Sequence, residues 1–130
     1  MVVWILMLIT DLIIPIIMVG TGKYWIKKPP KSINILFGYR TAMSMKNMDT
    51  WNFAHRHIAK TWWLVGLIML AVTCAAFLVI LLLGKDAEFV AVFGGWLCAV
   101  QLVPLICSII PTERALKKNF DLNGNRVKKD

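Results

Sequence analysis

The stretch WWLVGLIMLAVTCAAFLVILLL, Trp62–Leu83, decides the fold, because it runs for 22 residues without a charged side chain. At 1.5 Å per residue, a helix of that length crosses about 30 Å of hydrocarbon. It shows no period-2 alternation, so it does not read as a strand of a membrane barrel. Two further blocks share its character, from about Val2 to Gly20 and from about Phe89 to Ile110. The first has no basic residue ahead of it, and its apolar region is longer than that of a secretory signal. No convincing small-residue cleavage site follows Gly20, so the block reads as a retained helix. The prediction is an all-α membrane protein with three transmembrane helices, forming a single domain over residues 1–130. The spans lie near 2–20, 62–83 and 89–110, with a loop at 21–61 and a tail at 111–130. What remains outside the spans is too little, once divided among loops and tail, to build a second core.

Composition agrees and supplies an orientation. Of the 130 residues 58% are hydrophobic, yet 15 Lys and Arg face only 7 Asp and Glu, a net charge of +8. Eight cations, Lys23, Lys27, Lys28, Lys31, Arg40, Lys46, Arg56 and Lys60, lie in the first loop against Asp49 alone. The tail adds Arg114, Lys117, Lys118, Arg126, Lys128 and Lys129, whereas the short second loop has Lys85 with Asp86 and Glu88. The excess of cations beside the spans predicts a cytoplasmic long loop and C-terminus, with the N-terminus and second loop outside. Attraction to anionic headgroups, about 1 kcal/mol per cation near the surface, accounts for the basic balance. The cations flank spans instead of forming a basic face with stacking aromatics, which argues against direct nucleic-acid binding.

Each span offers a polar side chain near its middle: Asp11, Thr73 and Gln101. An ionisable group at that depth is costly unless it is paired, protonated or wetted. The three residues read either as an interhelical hydrogen-bond cluster or as the lining of a proton or ligand cavity. Pro15 and Pro104 fall close to this layer and are expected to kink their helices there. Ala91, Gly95 and Ala99 form a ladder of small residues that Ala71 and Ala75 repeat, which predicts close contact of the second and third spans, with homo-oligomer formation as a lesser outcome. Cys74, Cys98 and Cys107 read as unpaired apolar thiols; residues 98 and 107, nine apart, point to opposite helix faces.

The first loop is more specific than a linker. Lys27-Lys28-Pro29-Pro30-Lys31 is stiff, charged and barred from helix by its prolines, so it is expected along the headgroups. Gly38 before Tyr39 and Arg40 suggests a tight turn that presents a guanidinium suited to a phosphate, carboxylate or carbonyl cluster. A helix restarts after Asn47, a capping residue followed by Asp49. Trp51, Ala54 or His55, Ile58 and Trp62 then recur on one face. That pattern predicts an amphipathic interfacial segment leading into the second span, anchored by Trp51, Trp62 and Trp63. His55 and His57 project about 200° apart on a helix, which speaks against a metal pair.

Pro30, Asn34, Gly38-Tyr39-Arg40-Thr41, Ser44, Lys46-Asn47 and Trp51, set between one apolar span and two more, resemble the SdpI-like family of small bacterial membrane proteins. The tail Lys117-Lys118-Asn119-Phe120-Asp121 with Gly124 is similar to that family as well. The resemblance implies a multi-pass protein of the bacterial cell membrane, of the immunity type. Such a protein guards its host against a membrane-active peptide toxin, signals that toxin's presence, or both, and a cytoplasmic regulator is an expected partner. The loop motif and the three intramembrane polar residues are the candidate sites. No nucleophile with an orienting base, no phosphate loop and no paired carboxylates are recognisable, so no catalysis, cofactor or metal is expected. Asp121-Leu122-Asn123-Gly124-Asn125 has its glycine misplaced for a calcium loop and no closing Glu, and reads as a turn. The alternative from a different class is a subunit of a small oligomeric transporter or channel lined by Asp11, Thr73 and Gln101. Three helices alone cannot enclose a wide pore.

Overall fold

The computed structural model describes residues 1–127 and contains four helices: α1 (Val2–Lys27), α2 (Met48–Leu82), α3 (Ala87–Cys107) and α4 (Ile109–Asn119). Three helical runs are long and apolar enough to cross a membrane: Val2–Lys27, Met48–Leu82 and the continuous Ala87–Asn119. Large apolar side chains, Ile9, Ile13 and Ile16 on α1 and Ile68 and Val72 on α2 among them, face outward. That surface suits hydrocarbon and not water. The helices overrun the predicted spans. With 35 residues, α2 is roughly 52 Å long, so its first turns project well beyond the apolar Trp62–Leu83 stretch.

Local chemistry fixes the helix ends. Asn47 caps α2 by accepting from the Thr50 N–H at 2.9 Å, while Thr50 Oγ1 accepts from the Asn47 N–H at 3.1 Å, a reciprocal capping box. Asp86 caps α3 by accepting from the Phe89 N–H at 2.8 Å. Gly84, with φ +61°, turns the chain between α2 and α3 in a conformation that favours glycine. Pro15 and Pro104 lie inside α1 and α3, and Ser108 separates α3 from α4.

The bundle is built around α1, which packs along both α2 and α3, whereas those two meet each other little. This corrects the expected pairing of the second and third spans through small residues. Ala71, Ala75, Ala91, Gly95 and Ala99 all face outward, and nothing lies within 4 Å of where a Gly95 side chain would begin. Close approach uses other glycines. Gly22 of α1 lies against the α2 backbone at Ala59 and Trp63, Gly66 of α2 against Met18 and Val19, and Gly94 of α3 against Met7. With α1 in the centre, the faces that must be narrow are those turned toward it.

Two apolar cores result. At the loop end, Tyr39, Ala54, Ile58, Leu116 and Phe120 pack with Trp25 and Trp62 around them; at the other end, Phe77, Ile80 and Val90 pack with Trp4, Met7 and Phe93. The expectation of Trp51 as an interfacial anchor is also corrected, because Trp51 is wholly buried and its Nε1 donates to the Pro30 carbonyl at 2.9 Å. Trp62 likewise works inside the protein, stacking on Trp25 and donating to Ser108 Oγ at 2.8 Å. The loop and α1 cover this face of α2, so its aromatic residues serve a protein core. Trp63 remains half-buried with the Lys23 ammonium 6.0 Å from its ring.

Candidate functional site

The loop motif folds as a clasp over the first turns of α2. Asn34 starts it: its Oδ1 accepts from the N–H groups of Leu36 and Phe37 at 3.0 and 2.9 Å, a side-chain turn that asparagine forms readily. The turn pushes Ile35, Leu36 and Phe37 outward, and Leu36 is 81% exposed. Gly38 then adopts φ +107°, and a Cβ there would lie 2.7 Å from His55 Nε2. Glycine is required here by both conformation and space.

Tyr39 is the bolt of the clasp. Its backbone N–H donates to His55 Nε2 at 2.8 Å, and its hydroxyl donates to Glu113 Oε1 at 2.6 Å, tying loop, α2 and α4 together. Burial, and then the Glu113 carboxylate, push the Tyr39 phenol well above its ordinary value, so it stays a donor. Because His55 Nε2 accepts from an N–H, the ring hydrogen resides on Nδ1, which donates to the Trp51 carbonyl at 2.8 Å. His55 sits in the early turns of α2, ahead of the apolar span. It is fully buried, and burial holds its imidazole below the ordinary range. Trp25 and Trp51 enclose the ring at centroid distances of 4.9 and 4.2 Å.

The rest of the motif secures this turn. The Thr41 N–H donates to Ser44 Oγ at 2.8 Å, and the fully buried Ser44 hydroxyl lies 3.0 Å from the Tyr39 carbonyl. Asn47 Nδ2 donates to the Gly124 carbonyl at 2.7 Å, and Arg126 reaches both Asp49 oxygens at 2.9 Å. The tail therefore folds back onto the start of α2, with Phe120 and Arg126 forming an isolated β-bridge. The exposed Asp49–Arg126 pair contributes little by itself; the Asn47 bond and buried Phe120 hold the turn. Lys46 is exposed. Arg40 is exposed too, and its guanidinium donates to the Ile35 carbonyl, so it braces the turn's apolar tip instead of meeting a carboxylate. A cavity of about 390 Å³ lies beside it, lined by Tyr39, Arg40, Thr41, Trp62 and Ile109 among others.

The structure also joins the three intramembrane polar residues. Gln101 Nε2 donates to the Asp11 backbone carbonyl and to Thr73 Oγ1, both at 2.9 Å. Asp11 is 1% exposed, Thr73 1% and Gln101 4%, so the layer lies inside the bundle. It does not meet the clasp, since Thr73 stands 11 residues beyond Trp62 on the same helix, roughly 16 Å away. Cys74 and Cys107 face outward and Cys98 is half-buried, all three as free thiols. Among the described residues no three His, Cys, Asp or Glu side chains gather as a metal site, and His57 turns to Thr112 Oγ1 at 3.1 Å. Lys128 and Lys129 lie outside the described residues.

Sequence reasoning missed His55, Glu113 and Trp25 as members of the site. His55 carried a signal, being four residues after Trp51 on the same buried face. Glu113 carried none, because only the fold brings it to Tyr39.

Comparison with known proteins matches this region. The model of the SdpI/YfhL protein family matches residues 31–112, from the loop through the start of α4. The chain is 33% identical over 94 residues to the protein described as uncharacterized protein YfhL of Bacillus subtilis (strain 168), covering 72% of this chain and 70% of that one. No solved structure matches.

Proposed function

Because the chain belongs to the SdpI/YfhL protein family, we propose that it is a non-catalytic, multi-pass protein of the bacterial cell membrane, of the immunity type. In this reading it protects the cell against a membrane-active peptide toxin, reports that toxin's presence, or does both. The observation that carries the reading is the clasp. A short loop is fastened by Tyr39, His55 and Glu113 so that one cation, Arg40, and one apolar tip, Ile35 to Phe37, stand outside a rigid base. A segment held this firmly while exposing a guanidinium and three bulky apolar side chains is suited to recognition. In this reading the cationic side of the bundle faces the cytoplasm, the orientation its charge favours, where it suits anionic headgroups and a cytoplasmic regulator.

Expression in toxin-sensitive cells tests the proposal. The chain should raise survival at a lethal toxin dose, and Arg40→Ala should abolish that protection while the protein's level in the membrane is unchanged. Unaltered sensitivity in cells with full membrane expression would overturn it.

A further inference from the structure

The intramembrane layer has a hydrogen-bonding imbalance that its role in joining the helices does not remove. Both carboxyl oxygens of Asp11 and the Oε1 of Gln101 are buried without a hydrogen-bond partner among the described residues. All three atoms accept hydrogen bonds, and a carboxylate and an amide oxygen cannot satisfy each other unless a hydrogen is added. The amide lies beside Asp11, because its Nε2 donates to Asp11's own backbone carbonyl and to Thr73 Oγ1. Its donors are directed there, which leaves Oε1 as the atom in need.

Among the described residues no cation supplies the missing charge. Thr73 faces the layer from α2 and Gln101 from α3. The nearest charged residues along the three helices are Lys23 on α1, Lys60 on α2 and Glu88 on α3, each 12 or 13 residues from the layer, about 18–20 Å. An ionised carboxylate without donors or counter-charge, at the centre of an apolar bundle, is among the costliest arrangements a protein can hold. Two side chains with three oxygens also fall short of the six to eight ligands typical of a calcium site.

We propose that Asp11 is an intramembrane proton-binding site, occupied in the folded protein, with the acid hydroxyl donating to Gln101 Oε1. The bound proton converts one unsatisfied acceptor into a donor and satisfies a second acceptor across the α1–α3 contact. Gln101 thereby bonds α1 twice, through Nε2 to the backbone and through Oε1 to the side chain, while Nε2 also holds α2 through Thr73. The ligand is the proton itself, taken up as the first span leaves water.

Infrared spectroscopy of the full chain in lipid vesicles at neutral pH tests this. The wild-type protein should show a carbonyl band of a neutral carboxylic acid. Carbon-13 labelling of aspartate should move that band, and Asp11→Asn should remove it. The labelling arm needs no variant, so the test holds even where Asp11→Asn folds poorly. Gln101→Leu should shift the band to higher wavenumber, as for an acid that has lost its hydrogen-bond acceptor. Aspartate bands of carboxylate form only, as a bound metal cation would also give, overturn the proposal; an acid band unmoved by Gln101→Leu overturns the assignment of Gln101.

Discussion

Replacing Gly22 by alanine puts a Cβ 2.7 Å from the Ala59 carbonyl oxygen and 2.8 Å from the Trp63 nitrogen. Both neighbours are backbone atoms of α2, so no side chain can rotate away and the two helices must separate. Overpacking of this kind costs typically 1–3 kcal/mol, and a backbone clash belongs at the upper end. Alanine recovers up to about 1 kcal/mol through its better helix propensity. The net loss is about 1–2 kcal/mol, roughly 5- to 30-fold in the folding equilibrium. Gly20→Ala is the internal comparison, because nothing lies within 4 Å of a Cβ at Gly20, two residues earlier on the same helix. That variant should be neutral or gain up to about 1 kcal/mol. Reversible denaturant titration in mixed micelles, followed by tryptophan fluorescence, reads both. Equal midpoints for Gly22→Ala and Gly20→Ala would refute the central placement of α1 against α2.

The remaining predictions concern the clasp. Gly38→Ala forces φ +107° on a residue with a Cβ and drives that Cβ into His55 Nε2. The strain is about 1–3 kcal/mol, and limited proteolysis should cut the loop faster while the transmembrane helices stay protected; an unchanged cleavage rate would contradict the geometry. Acid should loosen the same loop. Burial lowers the His55 value in the folded state, so its contribution to stability is fully present above the ordinary imidazole value near 6.5 and is lost as pH falls through the folded value. Loop protection against proteolysis should therefore decline on acidification in a His57→Gln background, and a flat profile from pH 7 to 4.5 would exclude the Tyr39 N–H to His55 bond.

The spans, the Asn47 cap and the common depth of Asp11, Thr73 and Gln101 were legible because each is a property of one segment: an apolar length, a side chain ahead of a helix, a position counted from a span end. What escaped was whatever depends on which segments become neighbours. Ala91, Gly95 and Ala99 form as good a ladder as Gly22, Gly66 and Gly94 form a poor one, yet the latter carry the contacts, because α2 and α3 each pack chiefly on α1. Trp51 and Trp62 have the composition of a membrane interface, but the loop and α1 cover them. The pairing of Tyr39 with Glu113 spans 74 residues and has no local signature.

The fastening of Asn47 to Gly124 has a consequence for biogenesis. Asn47 leaves the ribosome long before Gly124 does, so the N-terminal cap of α2 is complete on one side and open on the other while both later spans are being inserted. Only when residues 120–126 emerge can Phe120 enter its core and Arg126 reach Asp49. The segment 120–126 thus acts as a latch on one translated earlier, and a nascent chain stalled before Gly124 carries all three spans with its loop unlatched.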